Sequence, residues 1–165
     1  MKRLILCVLV LIIAVAVSAQ SRVYEDGYRG NVEMEVGALL DNYMSLGILT
    51  SHGYGTSYGL YAGIGTGLIC TPNYYSFIAI PVFTDVKYNF TDQVFSPFVR
   101  MRLGSMINTD NYSAGVYYAP SVGVDMGCIS IAFSYNYNEG KTLVSNHHSI
   151  IYHRHAFDVG LAWWF

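Results

Sequence analysis

FIAIPVFTDVKYNF, residues 77–90, separates into two sets when every second residue is taken. Ile78, Ile80, Val82, Thr84, Val86, Tyr88 and Phe90 form one set; Ala79, Pro81, Phe83, Asp85, Lys87 and Asn89 form the other. Side chains alternate across a strand but wind round a helix every 3.6 residues, so this separation predicts a strand with one apolar and one mixed face. Asp85 and Lys87, of opposite charge and two residues apart, share the mixed face.

Seven other runs repeat the period. Val32, Met34, Val36 and Ala38 oppose Glu33, Glu35 and Gly37. Met44, Leu46, Ile48 and Thr50 share a face. Tyr58, Leu60, Ala62, Ile64, Thr66 and Leu68 oppose Gly59, Tyr61, Gly63, Gly65 and Gly67. Val99, Met101 and Leu103 oppose Arg100, Arg102 and Gly104. Tyr118, Pro120, Val122, Val124 and Met126 oppose Ser121, Gly123 and Asp125. Ile129, Ile131, Phe133, Tyr135 and Tyr137 oppose Ser130, Ala132, Ser134 and Asn136. In the last run Phe157, Val159, Leu161, Trp163 and Phe165 oppose Ala156, Asp158, Gly160 and Ala162. Short turns are expected at 53–57, 91–93 and 126–128, and longer polar links near 40–44, 70–76, 106–114 and 138–153. Connections that are short at one end and long at the other fit an outer-membrane barrel.

The period alone suits a soluble barrel equally well, so the second face has to decide. On a soluble barrel it meets water and is rich in Lys and Glu. Here it is mostly Gly, Ala, Ser and Asn, and charged residues make up only 12% of the chain against about 25% in soluble domains. Small residues suit the crowded lumen of eight strands. The charges on that face, Glu33, Glu35, Asp85, Asp125 and Asp158 with Lys87, Arg100 and Arg102, require pairing if they are enclosed. The apolar faces of the eight runs carry no charge. A Lys or Arg at a bilayer midplane costs about 2–4 kcal/mol, which accounts for their exclusion. Tyr74, Tyr75, Tyr88, Tyr117, Tyr118, Tyr135, Tyr137, Trp163 and Trp164 gather at run ends, as interfacial belts would.

The N-terminal stretch has Lys2 and Arg3, an uncharged apolar run Leu4–Val17 and a small-residue site at Val17-Ser18-Ala19. This is the layout of a secretory signal peptide over 1–19, its apolar run short of the roughly 20 residues a spanning helix needs. One barrel domain is then expected over 20–165. Cys70 and Cys128 make no disulfide framework; one in a long link and one in a short turn, they are expected at opposite rims, unbridged. The mildly acidic chain, net charge −2, lacks the basic patch that nucleic acid would need.

Together GYRGNVEMEVG (27–37), LTSHGYG (49–55), GLYAGIGTGL (59–68), IPVFTDVKYNFTDQVFSPFVRMRLG (80–104) and YYAPSVGVDMG (117–127) resemble the outer membrane protein beta-barrel domain family, the small OmpA/OmpX-type eight-stranded barrels. The likeness spans nearly all of 20–165. It implies an all-β, eight-stranded, antiparallel up-and-down transmembrane β-barrel in the bacterial outer membrane. It also implies outer-membrane lipids and the barrel assembly machinery as partners, and a monomer. The stripe Phe157, Val159, Leu161, Trp163, Phe165 resembles the signature that such barrels present to that machinery.

Catalytic motifs are sparse. His147, His148, His153 and His155 are the best metal candidates, with His153 and His155 on one strand face; the reading adopted is a polar surface segment with no metal and no cofactor. GIGTGL (63–68) lacks the Lys and helix of a phosphate loop. A lipid-modifying enzyme built on His52, His155 and several serines is the alternative, without a GxSxG motif. A soluble lipocalin-like carrier is another. The residues favour a non-enzymatic barrel with a plugged polar interior and a structural or adhesion-like role, rather than an open pore.

Overall fold

The computed structural model describes residues 26–40, 43–71, 77–109, 113–145 and 148–165; the leader expected at 1–19 lies outside them. Among the described residues eight strands follow in chain order. They are β1 (Gly27–Leu39), β2 (Met44–Gly55), β3 (Leu60–Thr71), β4 (Phe77–Asn89), β5 (Phe95–Asn108), β6 (Ser113–Met126), β7 (Ile129–Ser145) and β8 (His148–Trp164). Each pairs antiparallel with the next, and β8 returns to β1 to close the barrel. Closure leaves the sheet without an edge strand, the condition for a sheet to sit in hydrocarbon.

The three short connections, at 56–59, 90–94 and 127–128, gather with the start of β1 and the end of β8 at one end of the barrel, here the turn end. The other four connections form the link end. The β6–β7 turn needs only Gly127 and Cys128, and Gly127 takes φ 66°, a left-handed conformation that favours glycine. Cys70, near the end of β3, and Cys128 lie at opposite ends, and both are free.

The strands exceed the sequence expectation at the link end. Residues 106–114 shrink to a connection at 109–112, and the long link expected over 138–153 is largely strand. There β7 runs to Ser145 and β8 begins at His148, with an irregularity between Leu143 and Ser145. Thr142, Val144, Ile150 and Ile151 supply β-branched propensity in this segment, which the flanking polar residues hide from a period-two reading. Proline leaves its own mark. The β3–β4 ladder keeps its register but is interrupted between Thr66↔Val82 and Ile69↔Ala79, around Pro81, and the β6–β7 ladder likewise between Tyr118↔Tyr137 and Ser121↔Ser134, around Pro120. Proline has no N–H to give a ladder.

Alternation sets the two surfaces. Val32, Val82, Val122, Phe133 and Leu161 are exposed outside, while Leu49, Phe83, Met106, Tyr117 and Ala119 are buried inside as an apolar cluster. The lumen is therefore the core. Two residues assigned to the aromatic belts turn inward instead: Tyr117 is fully buried, and Trp164 is 4% exposed beside Trp163 at 65%. Both follow from parity, because each neighbours an outward aromatic and must face the other way. Tyr74 and Tyr75 lie outside the described residues.

Candidate functional site

Strand parity aims Glu33 and Glu35 (β1), Asp85 and Lys87 (β4), Arg100 and Arg102 (β5), Asp125 (β6) and Asp158 (β8) into the lumen. All eight are buried. The β4–β5 register sets Asp85 opposite Arg102 and Lys87 opposite Arg100.

At mid-height the two arginines bar the lumen. The Arg100 fork grips Asp85, with Nε donating to Oδ1 at 2.7 Å and Nη2 donating to Oδ2. Its Nη1 donates to Glu33 Oε2 at 2.6 Å. Arg102 Nη2 donates to the same Glu33 oxygen, and Nη1 donates to Glu35 Oε1 at 2.5 Å. The Arg102 guanidinium also lies 5.2 Å from the Phe83 ring. In a closed ring of eight, β1 and β5 are four strands apart either way round. The Arg–Glu bridges thus cross the full width of the interior. Bidentate, charge-assisted contacts of this kind fix geometry as well as charge, and each carboxylate here offsets the burial of a cation.

A second cluster lies toward the turn end. Lys87 Nζ donates to both Asp125 oxygens at 2.7 Å. Asn89 Nδ2 donates to Asp125 Oδ2 at 2.7 Å, and Ser130 Oγ donates to Oδ1 at 2.5 Å. The Lys87 ammonium is 4.1 Å from the centres of both the Phe98 and Trp164 rings. Toward the link end, Asp158 accepts from Ser45 Oγ at 3.2 Å and from Asn136 Nδ2. Its carboxylate lies over Gly37, where a Cβ would fall 1.6 Å from Oδ1, so any larger residue there displaces the acid. Cavities of about 20 and 30 Å³ remain at the turn-end and link-end clusters, the size of single waters.

Asn89 and Asn136, expected on the inward faces, and Trp164, expected in a belt, bind within these clusters; Ser45, which binds there too, and Arg29 and Arg154, which line the two cavities, were not named in the sequence reading. Parity identifies most of them once strand bounds are known. Arg154 was hidden because it falls between the link expected at 138–153 and the run read from Ala156.

The outward candidates do not converge on a reactive centre. Phe157, Val159, Leu161 and Trp163 of β8, and Phe165 just past its end, are exposed. Tyr137 and His153 Nδ1 are 2.7 Å apart, and Tyr135 and His155 Nδ1 2.5 Å, both pairs outside the barrel toward the link end. His52 lies near the turn end, opposite Gly30, where Tyr28 (2.6 Å) and Thr50 (3.0 Å) take its two nitrogens. His52 and His155 are therefore at opposite ends. His147 lies outside the described residues, as does the side chain of His148. Among the described residues no group of three or more His, Cys, Asp or Glu is placed to hold a metal. GIGTGL lies within β3.

No family model matches the sequence, and no curated protein matches it. Solved structures do resemble the fold. The outer membrane enzyme PagL is 14% identical with a TM-score of 0.63, over 80% of this chain and 97% of that one. Neisserial surface protein A (NspA) is 14% identical with a TM-score of 0.57, over 84% and 96%. A de novo designed transmembrane β-barrel is 16% identical with a TM-score of 0.53, over 86% and 99%. One of these is an enzyme and another a surface protein, so the likeness is one of fold and carries no activity with it. The chain has the closed, antiparallel, eight-stranded fold of small outer-membrane barrels.

Proposed function

We propose that the protein is an integral outer-membrane barrel with a sealed interior, acting as a structural or surface-interaction element rather than an enzyme or a pore. In this reading the turn end faces the periplasm and the link end faces outward. The observation that carries it is the contrast between the two surfaces. An uncharged apolar belt on the outside needs hydrocarbon, while the inside is filled by ion pairs that span the lumen. A soluble carrier needs a ligand cavity, and the lumen clusters leave cavities of only about 20 and 30 Å³.

Outer-membrane lipids are the partner of the belt. We assign the outward stripe Phe157, Val159, Leu161, Trp163 and Phe165 to contact with the barrel assembly machinery. The small OmpA/OmpX-type family remains the resemblance that suggested this placement, and the chain is read as a monomer. A lipid-modifying enzyme on this fold needs an acid, a base and a nucleophile together, and His52 and His155 are held at opposite ends.

Membrane fractionation with gel migration before and after boiling tests the proposal. The protein should sediment with outer membranes, stay insoluble without detergent and run as a compact band that shifts on heating. A protein that remains dissolved without detergent would overturn it.

A further inference from the structure

Residues 163 and 164 point to opposite sides of the wall and make different contacts. The outward Trp163 lies on the belt. The inward Trp164 indole meets residues of four other strands, among them the Arg100 guanidinium of β5 at 5.6 Å from the ring centre. Its Nε1–H donates to Ser130 Oγ of β7 at 2.7 Å. Its ring meets Tyr61 of β3 edge-on, 5.0 Å between centroids. The Lys87 ammonium of β4 sits 4.1 Å from the indole on one hand and 4.1 Å from Phe98 of β5 on the other. Asp125 of β6 accepts from Lys87 and from Ser130, so the acid fixes both groups that hold the indole.

Trp164 also stands at the barrel's closing seam. It is paired with Asn31 of β1. One residue on, the Gly30 and Phe165 backbones exchange both hydrogen bonds, each 2.9 Å. This is the last pair at the turn end of the β1–β8 ladder.

We infer that Trp164 is the latch of the barrel: the Lys87–Asp125–Ser130 cluster grips its indole and so holds the turn end of the β1–β8 seam shut. A cation held between two aromatic faces, away from water, is a strong and directional anchor. A seam with no covalent closure depends on what its last strand grips inside. The inference rests on the closed barrel and not on the membrane reading, so fractionation results do not bear on it.

Hydrogen exchange on the refolded protein in detergent micelles tests it. Trp164→Leu and Lys87→Met should each speed exchange at the Gly30 and Phe165 amides at least tenfold. The Val86 and Met101 amides in β4 and β5 should stay within about twofold of wild type. Lys87→Arg, which keeps the cation, and Trp163→Leu, which keeps the latch, should leave the seam protected. Trp164→Phe keeps a ring face and loses the Ser130 bond; it should fall between, and it supplies the reading if Trp164→Leu does not refold. Equal effects of Trp163→Leu and Trp164→Leu would overturn the latch. So would acceleration spread evenly over β4 and β5, or a seam in Lys87→Met as protected as in wild type.

Discussion

At the residue scale, one strand places two substitutions a short distance apart in opposite environments. Val82 faces outward on β4 and is half exposed, and Asn89 faces inward and is buried. Val82→Arg puts a charge in hydrocarbon at a cost of about 2–4 kcal/mol, and should lower the unfolding free energy measured in lipid vesicles by that amount. Read from sequence, Asn89→Ser is a mild change, small polar for small polar. The structure alters that expectation. Asn89 Nδ2 supplies one of the hydrogen bonds to buried Asp125, at 2.7 Å, and reaches Ser96 at 3.3 Å. Serine is too short to replace both, and a deprived buried acceptor costs about 1–3 kcal/mol. Denaturant titration in vesicles should therefore show both variants destabilised. Assembly yield in cells should separate them, since only Val82→Arg opposes insertion. Equal assembly yields would contradict the assignment of the faces.

At the element scale, β1, β4 and β5 act as one unit because Glu33, Asp85, Arg100 and Arg102 share their partners. Removing Arg100 leaves Asp85 without its fork and Glu33 with one cation. The loss of one partner from a buried pair typically costs about 3–5 kcal/mol. Arg100→Met should therefore be among the most destabilising changes in the barrel. In a double-mutant cycle, Glu33→Gln should cost less in the Arg100→Met background than in wild type, because the contact between the two is already lost there. Strictly additive effects would mean that the bridge across the lumen does not form. The existence and parity of these strands were legible in the sequence, because a period of two shows directly in residues such as Val99–Arg100–Met101–Arg102. The pairing was not. Which acid meets which base depends on register, and register across the barrel joins β1 to β5, residues 67 apart in the case of Glu33 and Arg100. The inward Trp164 was legible in its parity, yet its resemblance to a belt residue outweighed the alternation. The strands at 139–153 were hidden because polar residues interrupt the apolar beat there.

At the scale of the whole molecule, the question is whether a closed cylinder conducts. Eight strands leave a lumen just wide enough for side chains, and here the space is crossed by Arg100 and Arg102 reaching Glu33 and Glu35. The turn end is filled by the Lys87 cluster, and the link end by Tyr117 with Asp158, Asn136 and Ser45. The cavities at these two clusters, about 20 and 30 Å³, are the size of single waters. An ion entering would have to displace a buried guanidinium from two carboxylates, against charge-assisted hydrogen bonds of 2.5–2.7 Å. Reconstituted in planar bilayers, the wild-type protein should give no steady ohmic current at moderate voltage. Replacing both arginines with glycine removes the bars and leaves Glu33, Glu35 and Asp85 facing the opened space. A folded double variant, recognised by its heat-shifted band, should pass a small current that prefers cations over anions. A persistent wild-type current, or an anion-selective one in the double variant, would show that the arginine bridges do not seal the barrel.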